Sequence, residues 1–403
     1  MAKGKLLYLG ALIALYLAIF FLFRNEASIL ETIGNYASLF IIIILLFILF
    51  LGRGEYRSFP GGLRTLYVFW QVLFIWMLLV PFIFSYDSNV SFVIYEGMYH
   101  DYRYLGFFSL SFLFISNKSG FYRDRLFQKI GGIALVAGII AILIMDKSFS
   151  AISNRSSGFT LPYYLWWIVM WVYPYLFLKY LLKDFSRLGL WLFVLHVLLS
   201  LLFLKRAGLV DAGMLVCFYF IFSGSSSKRI KSIFKSIFIG IVAIFIGISF
   251  FSNVLNLVED RFYKTADNLK QWDRNIEVLE FFTVTSEKDR LIGFGANNYL
   301  KMTYIGEENK PVNALHIGAY NLIYKGGYLY VGFLVLMLIQ ILSLRKYLSY
   351  SNEIRIGFIM GLVFLIGHAY QFSWSYNPEH FFWLVPILRA IYLKGKLRTA
   401  LKT

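Results

Sequence analysis

The segments Leu291-Ile-Gly-Phe-Gly295 and His316-Ile-Gly-Ala-Tyr-Asn-Leu-Ile-Tyr-Lys-Gly-Gly327 close the one long polar stretch of this sequence, which begins near Asn256. Between Asn256 and Asn313 there are eight Lys or Arg and ten Asp or Glu residues, a net charge of −2 in a chain whose formal net charge is +17. On either side the sequence is a succession of apolar segments joined by short loops. Binding and catalytic residues concentrate on loops that a rigid scaffold positions. We therefore predict that residues 256–316 form an extracytoplasmic active-site loop.

The composition indicates a membrane protein. The chain has 403 residues, of which 59% are hydrophobic and 15% charged, and apolar stretches of spanning length recur from Leu6 to Leu393. We predict an all-α polytopic fold, with residues 1–403 forming a single integral membrane domain. The stretch 6–23 could instead be a signal peptide, but its apolar core is long and no clear cleavage site follows, so we expect a retained helix. The single cysteine, Cys217, excludes an intramolecular disulfide.

Hydropathy predicts about twelve transmembrane helices, with the large loop between helices 9 and 10. They lie near residues 6–23, 37–51, 65–84, 104–116, 130–145, 164–178, 188–204, 211–223, 236–255, 317–344, 356–372 and 381–393. If the N-terminus is cytoplasmic, the inside segments hold 23 basic residues and the short outside loops hold 6. This positive-inside bias places both termini in the cytoplasm and the large loop outside. It also explains the net charge without a nucleic-acid partner.

The beginning of the large loop has helical periodicity. Apolar residues from Val258 to Leu279 recur at spacings of three, four or seven, which predicts a helix. Arg261 and Arg274 would face one site only if that helix breaks between them. After Phe282 the pattern ends, and we predict an irregular polar loop.

Several site types are excluded. No inside loop exceeds 13 residues, so a cytoplasmic nucleotide-binding domain has no room. The stretch 293–298 lacks the third glycine of a dinucleotide fingerprint. No Asp-x-Asp occurs and the five histidines form no metal-binding pair, so we predict no metal and no cofactor.

The outside arginines suggest an anionic substrate. Transfer from a lipid-linked sugar needs fixed positive charge to hold a pyrophosphate, and guanidinium groups bind phosphate bidentately. The candidates are Arg206, Arg274, Arg261, Arg290 and Lys205, with Arg155 as a further one. Alternatively, outside arginines are solvated or bind lipid headgroups, and Asp211 could be the structural partner of Arg206.

An acceptor hydroxyl needs a general base near neutral pH, and histidine is the natural choice. His316 stands where the loop re-enters the membrane, although a lone histidine is more often structural. Asp273, Glu307 and Glu308 are alternative bases, and Tyr320 is a further candidate for substrate binding. His196 and His368 lie inside predicted helices, where we expect them to hydrogen-bond to neighbours.

Three features in order resemble the O-antigen ligase/polymerase superfamily. They are Arg206 after the fourth outside loop, Arg274 before Gly293-Phe-Gly295 in the fifth, and His316 followed by Gly326-Gly327. The family has asparagine where this chain has Ile317. The paired glycines Gly326-Gly327 by themselves permit close approach of helices. The resemblance implies that the arginines bind undecaprenyl pyrophosphate and that the histidine activates the acceptor hydroxyl, in a metal-independent, inverting transfer.

By this resemblance, the chain is expected to be a glycosyltransferase of the bacterial cytoplasmic (inner) membrane with its active site facing the periplasm. It would polymerise undecaprenyl-pyrophosphate-linked repeat units of O-antigen or a related surface polysaccharide, with a chain-length regulator as a partner. One alternative is a ligase that transfers lipid-linked glycan to lipid A core or protein. Another is a flippase or transporter, which usually has charges within its helices. Few charges lie deep in the predicted helices here, and Lys325 and Arg389 are the exceptions.

Overall fold

The computed structural model describes residues 56, 59–83, 111–115, 120–153, 161–182, 187–202, 206–222, 273–295, 300–304, 307–312, 315, 318–370 and 379–401. These residues are predominantly helical, with one two-stranded hairpin. The helices are α1 (Gly61–Ile83), α2 (Gly120–Ser153), α3 (Leu161–Leu181), α4 (Leu188–Leu202), α5 (Arg206–Phe222), α6 (Asp273–Val284), α7 (Glu287–Ile292), α8 (Gly318–Ser343), α9 (Asn352–Tyr370) and α10 (Glu379–Ala400). The strands are β1 (Leu300–Tyr304) and β2 (Glu307–Val312).

The long helices form a bundle around an aromatic-rich core. Helices α2, α3 and α4 pack on one another, α8, α9 and α10 do the same, and α3 joins the two groups by packing on α10. Trp70 and Tyr330 are buried where α1 meets α8, and Phe127 and Trp171 both contact Phe382 of α10. Aromatic side chains of this size bury large apolar areas, so these contacts account for much of the packing between helices.

The outer faces of the long helices are apolar as well. On α1, Val68, Val72 and Ile75 are each about half exposed, whereas Trp70 and Met77 on the opposite side are buried. A helix that is apolar all round belongs in a protein core or in a membrane. Two stretches, Asp124–Ile142 and Tyr320–Tyr347, are long and apolar enough to cross a bilayer by length and composition.

Eight of the twelve predicted helices correspond to described ones, from the prediction at 65–84 to that at 381–393. The predictions at 6–23, 37–51 and 236–255, and most of that at 104–116, lie outside the described residues. The prediction at 130–145 begins too late, because α2 starts at Gly120 with a polar first part.

Two ion pairs link charged side chains of neighbouring helices. On α2, Asp124 accepts hydrogen bonds from Lys179 Nζ (3.0 Å) and from the Tyr175 hydroxyl (2.7 Å), both on α3. The buried Arg389 of α10 donates from Nε to Glu353 (3.0 Å) and from Nη1 to the carbonyl of Ile115 (2.8 Å). Arg389, which the sequence marks as a charge within a helix, therefore ties α10 to α9 and to the segment that contains Ile115.

The polar loop folds as a compact module, so the prediction of an irregular loop after Phe282 is wrong for its described part. Helix α7 begins with a capping box in which Ser286 and Asp289 bond reciprocally to each other's backbone N–H. β1 and β2 pair antiparallel, with Leu300 opposite Val312. A small apolar cluster holds the module together: Phe281, Phe294, Met302, Leu315 and Tyr324. We call residues 273–295, 300–304, 307–312 and 315 the loop module, against which Tyr324 of α8 packs.

Candidate functional site

Helix α8 is interrupted at Gly327, which has φ 61° and ψ −162°. Before the interruption, Tyr324 packs against the loop module, whereas Leu322 packs in the main core. The residues after it, including Phe333 and Met337, pack in the main core. The stretch predicted as one helix at 317–344 is therefore two helical segments with different surroundings.

The interruption is where the loop module attaches to the bundle. The backbone N–H of Phe294 donates to the carbonyl of Tyr324 (2.7 Å), and that of Gly295 donates to the carbonyl of Lys325 (2.8 Å). In a continuous helix these two carbonyls would accept from the residues four positions further on. Gly327, just after these residues, leaves the helical conformation, and both carbonyls accept hydrogen bonds from the loop.

Glycine is required on both sides of this contact. Gly293 has φ 79° and ψ 171°, a region that only glycine enters readily. A Cβ atom at Gly293 would lie 2.9 Å from the carbonyl oxygen of Lys325, and one at Gly327 would lie 2.7 Å from the nitrogen of Gly293. The sequence pattern suggested that Gly326-Gly327 lets helices approach closely. The backbone that approaches Gly327 is instead the 291–293 stretch of the loop.

A tryptophan of α1 fixes the same stretch from another side. Trp76 donates from Nε1 to the carbonyl of Ile292 (2.9 Å). Trp76 is seven residues before Ile83, the last residue of α1. The loop signature is therefore held between α1 and the interruption in α8.

The backbone immediately before His316 is also fixed. The buried side chain of Asn321 accepts a hydrogen bond at Oδ1 from the backbone N–H of Leu315 (3.0 Å), and Leu315 is itself buried in the module. Tyr320, a predicted substrate-binding residue, is half-buried and makes an edge-to-face contact with Phe282 (5.6 Å between ring centroids). His316 lies outside the described residues, so its role as a base stays a prediction.

Arg290 has a structural contact in the module. Its Nη1 donates to the carbonyl of Thr285 (2.6 Å), to the Thr285 hydroxyl (3.1 Å) and to the carbonyl of Phe282 (3.3 Å). The guanidinium carbon also lies 5.0 Å from the centre of the Phe282 ring. Arg290 therefore caps the end of α6, where carbonyls lack helical partners. Binding of pyrophosphate by Arg290 stays a prediction.

The other candidates are described by their backbone or not at all. Arg206 is the first residue of α5 and Arg274 the second of α6, directly after Asp273. Glu307 and Glu308 open β2. Helix α5 packs on α3, α4 and α9, whereas α6 and α7 contact β1 and α8 respectively. The predicted site residues Lys205, Arg155 and Arg261 lie outside the described residues.

The proposed pairing of Arg206 with Asp211 stays a prediction. Asp211 is buried and lies five residues after Arg206 on α5. The side chain of Arg206 lies outside the described part of the structure.

A buried polar contact beside Arg206 was not singled out as functional from the sequence. His196 of α4 is fully buried, and its Nε2 lies 3.0 Å from the carbonyl oxygen of Gly208, as expected for a helical histidine bonded to a neighbour. Its ring stacks on Tyr173 of α3, with centroids 3.9 Å apart. The available signal in the sequence was a histidine within an apolar helix. In the structure this histidine lies next to Gly208, which is two residues after the candidate Arg206.

Within the part of the chain that the structure describes, no three His, Cys, Asp or Glu side chains form a metal-binding group. Comparison of the chain with protein-family models, with curated proteins and with solved structures found no match.

Proposed function

We propose that the protein is a multi-pass membrane glycosyltransferase of the bacterial cytoplasmic membrane, with about twelve transmembrane helices. It transfers a growing glycan from one undecaprenyl pyrophosphate onto the next lipid-linked repeat unit, on the outer side of the membrane. Arg206 and Arg274 hold the pyrophosphate, and His316 takes the proton from the acceptor hydroxyl.

One observation carries the proposal: the two glycine motifs that close the polar loop are bound to each other. Gly293 contacts Gly327 through the backbone, and the hydrogen bonds from Phe294 and Gly295 seat the loop on the interrupted helix. This arrangement supports a site built from the loop and from the segment that follows His316. Groups that act together on one substrate must be held in fixed relative positions, and rigid backbone contacts of this kind supply that.

The place of Arg206 supports an anionic ligand. As the first residue of α5, it lies at the positive end of the helix dipole. A cation there is disfavoured by roughly 0.3–1 kcal/mol, whereas an anion is favoured. A bound pyrophosphate would remove the repulsion, since phosphate oxygens accept hydrogen bonds from guanidinium groups and from the N–H groups at a helix N-terminus.

The interrupted helix is also the observation that favours a flippase or transporter. In transporters, carbonyls freed by a broken helix often coordinate the substrate or a coupling ion. Here the carbonyls of Tyr324 and Lys325 already accept hydrogen bonds from Phe294 and Gly295. Because these groups bind the protein's own loop, the interruption has a structural use, and the glycosyltransferase is the better-supported function.

A product-length assay tests the proposal. Lipid-linked repeat units are extracted from cells that lack the protein and incubated with purified protein in detergent. A polymerase gives a ladder of longer lipid-linked products, and a ligase gives none until lipid A core or an acceptor protein is added. If proteoliposomes instead move the intact lipid-linked unit between leaflets without lengthening it, the protein is a flippase.

The proposed orientation has its own test. A topology reporter fused at Lys228, in a predicted inside segment, should be cytoplasmic, and one fused at Asn309, in β2, should be external. The same location for both reporters would contradict the proposed topology.

A further inference from the structure

The first turn of α5 packs against buried side chains of α4. His196 and Ser200, both buried, lie on α4, one helical turn apart. Gly208 lies two residues after Arg206, and a Cβ atom there would lie 3.3 Å from His196 Nε2. The glycine thus lets α5 approach α4 closely, but glycine also makes the first turn of a helix easier to deform.

In the hydrogen bond between His196 and Gly208, the histidine is the donor. A carbonyl oxygen only accepts hydrogen bonds, so the proton of the His196–Gly208 bond (3.0 Å) must be on His196 Nε2. Nδ1 is then the acceptor nitrogen of the neutral ring, and among the described residues it has no hydrogen-bond partner. A buried polar atom without a partner is unfavourable, and a leucine or phenylalanine would avoid it. A leucine or phenylalanine at this position could not donate an N–H to the carbonyl of Gly208.

The ring that donates this bond is itself held in place. It stacks on Tyr173 with an interplanar angle of 13° and lies parallel to Trp166 at 6.2 Å, both on α3. Trp166 in turn donates from Nε1 to Ser200 Oγ (3.2 Å). The donor nitrogen of His196 is therefore presented to α5 by contacts from α3 and α4 together.

We propose that His196 is a positioning residue for Arg206. Its hydrogen bond to the Gly208 carbonyl fixes the backbone of the first turn of α5, and with it the position in the chain from which Arg206 binds the pyrophosphate of the lipid-linked donor. The inference rests on the proposed function, because it takes Arg206 to be a pyrophosphate-binding residue.

Binding of undecaprenyl pyrophosphate to the purified full-length protein in detergent tests this role, with the melting temperature measured on each preparation. His196→Phe keeps a ring that can stack on Tyr173 but loses the N–H, and His196→Gln keeps an N–H near the Nε2 position but loses the ring. We expect the Kd to rise at least tenfold in His196→Phe and less than threefold in His196→Gln. Tyr219→Phe is the matched control, since it removes a buried hydrogen bond from α5 to the carbonyl of Leu181 (3.0 Å) and leaves the contact between His196 and Gly208 in place.

A double variant tests whether His196 acts through Arg206. If it does, adding His196→Phe to Arg206→Lys should change the Kd by less than twofold beyond Arg206→Lys alone. Independent, multiplicative effects would overturn the proposal. An unchanged Kd in His196→Phe would also overturn the proposal. The same holds if the Phe and Gln variants lose binding equally and in proportion to the fall in their melting temperatures.

The design separates this proposal from the one on which it rests. If Arg206→Lys leaves the Kd unchanged, the pyrophosphate role of Arg206 is wrong. If Arg206→Lys weakens binding and His196→Phe does not, only the positioning role is wrong. Should His196→Phe fail to fold, His196→Asn replaces it, because its shorter amide does not reach Gly208. Equal Kd values for the Asn and Gln variants would then overturn the proposal.

Discussion

Replacing Gly293 by alanine should detach the loop module from α8 without unfolding the helix bundle. The new Cβ atom would lie 2.8 Å from the backbone carbon of Gly326 and 2.9 Å from the carbonyl oxygen of Lys325. Both are backbone atoms, so no side-chain rotation relieves the overlap. The residue would also keep φ near 79°, which costs a non-glycine residue about 1–3 kcal/mol.

The overlap would also break the hydrogen bonds that seat the loop. If the 293–295 backbone moves away, the bonds from Phe294 to Tyr324 and from Gly295 to Lys325 are lost, at about 1 kcal/mol each. The total is roughly 3–5 kcal/mol, and since about 1.4 kcal/mol is a factor of ten, docking should weaken at least 100-fold.

Hydrogen exchange read by mass spectrometry measures this directly. In the Gly293→Ala protein, amides of the 287–295 and 318–327 peptides should exchange at least 100-fold faster, while peptides of α3 and α4 keep their protection. Gly213→Ala on α5 is the control, because its Cβ would meet open space and alanine suits a helix. Unchanged exchange at 287–295 in Gly293→Ala would refute the reasoning.

Three predictions concern the proposed chemistry. Arg206→Lys and Arg274→Lys keep the positive charge but lose the planar guanidinium, so each should slow glycan elongation at least tenfold. The control, Arg103→Lys in another outside loop, should have little effect. Equal rates in all three variants would mean that the arginines are merely interfacial. His316→Ala should lower the elongation rate on the order of 10²–10⁴-fold, while undecaprenyl pyrophosphate binding and the melting temperature are retained. The control, His380→Ala, should not lower the elongation rate. A folded His316→Ala protein that elongates at the normal rate would exclude His316 from the mechanism. Elongation should be unaffected by EDTA, and activity that is lost on chelation and restored by magnesium or manganese would contradict the arginine-based mechanism.

The helices of the bundle were largely predictable because their apolar residues are continuous. The spans near 164–178 and 188–204 agree with α3 and α4 to within a few residues at each end. The beginning of α2 was missed because hydropathy ignores polar helical residues. Asp124 lies inside that helix, where its bonds to Lys179 and Tyr175 stabilise a charged first part.

The loop module was predictable only in fragments. Its capping box, Ser286 with Asp289, is a legible helix-start signal, but without an apolar run behind it the helix was not predicted. The contact of Gly293 with Gly327 joins residues 34 positions apart in the chain, and no local pattern specifies which backbone a glycine will meet. Gly326-Gly327 indicated close packing correctly but not the partner, since the same pattern suits two helices in a membrane.

The interruption at Gly327 also bears on how the protein is synthesised. The bonds from Phe294 and Gly295 to α8 span about 30 positions of the chain, and the bond from Asn321 to Leu315 spans 6. Contacts between near neighbours in sequence form early, because little chain must be closed into a loop. The one described bond from the loop to a distant helix spans 216 positions and reaches back to Trp76, which the ribosome has already made. These contacts give the loop module what it needs to fold during translation, before α9 and α10 have emerged.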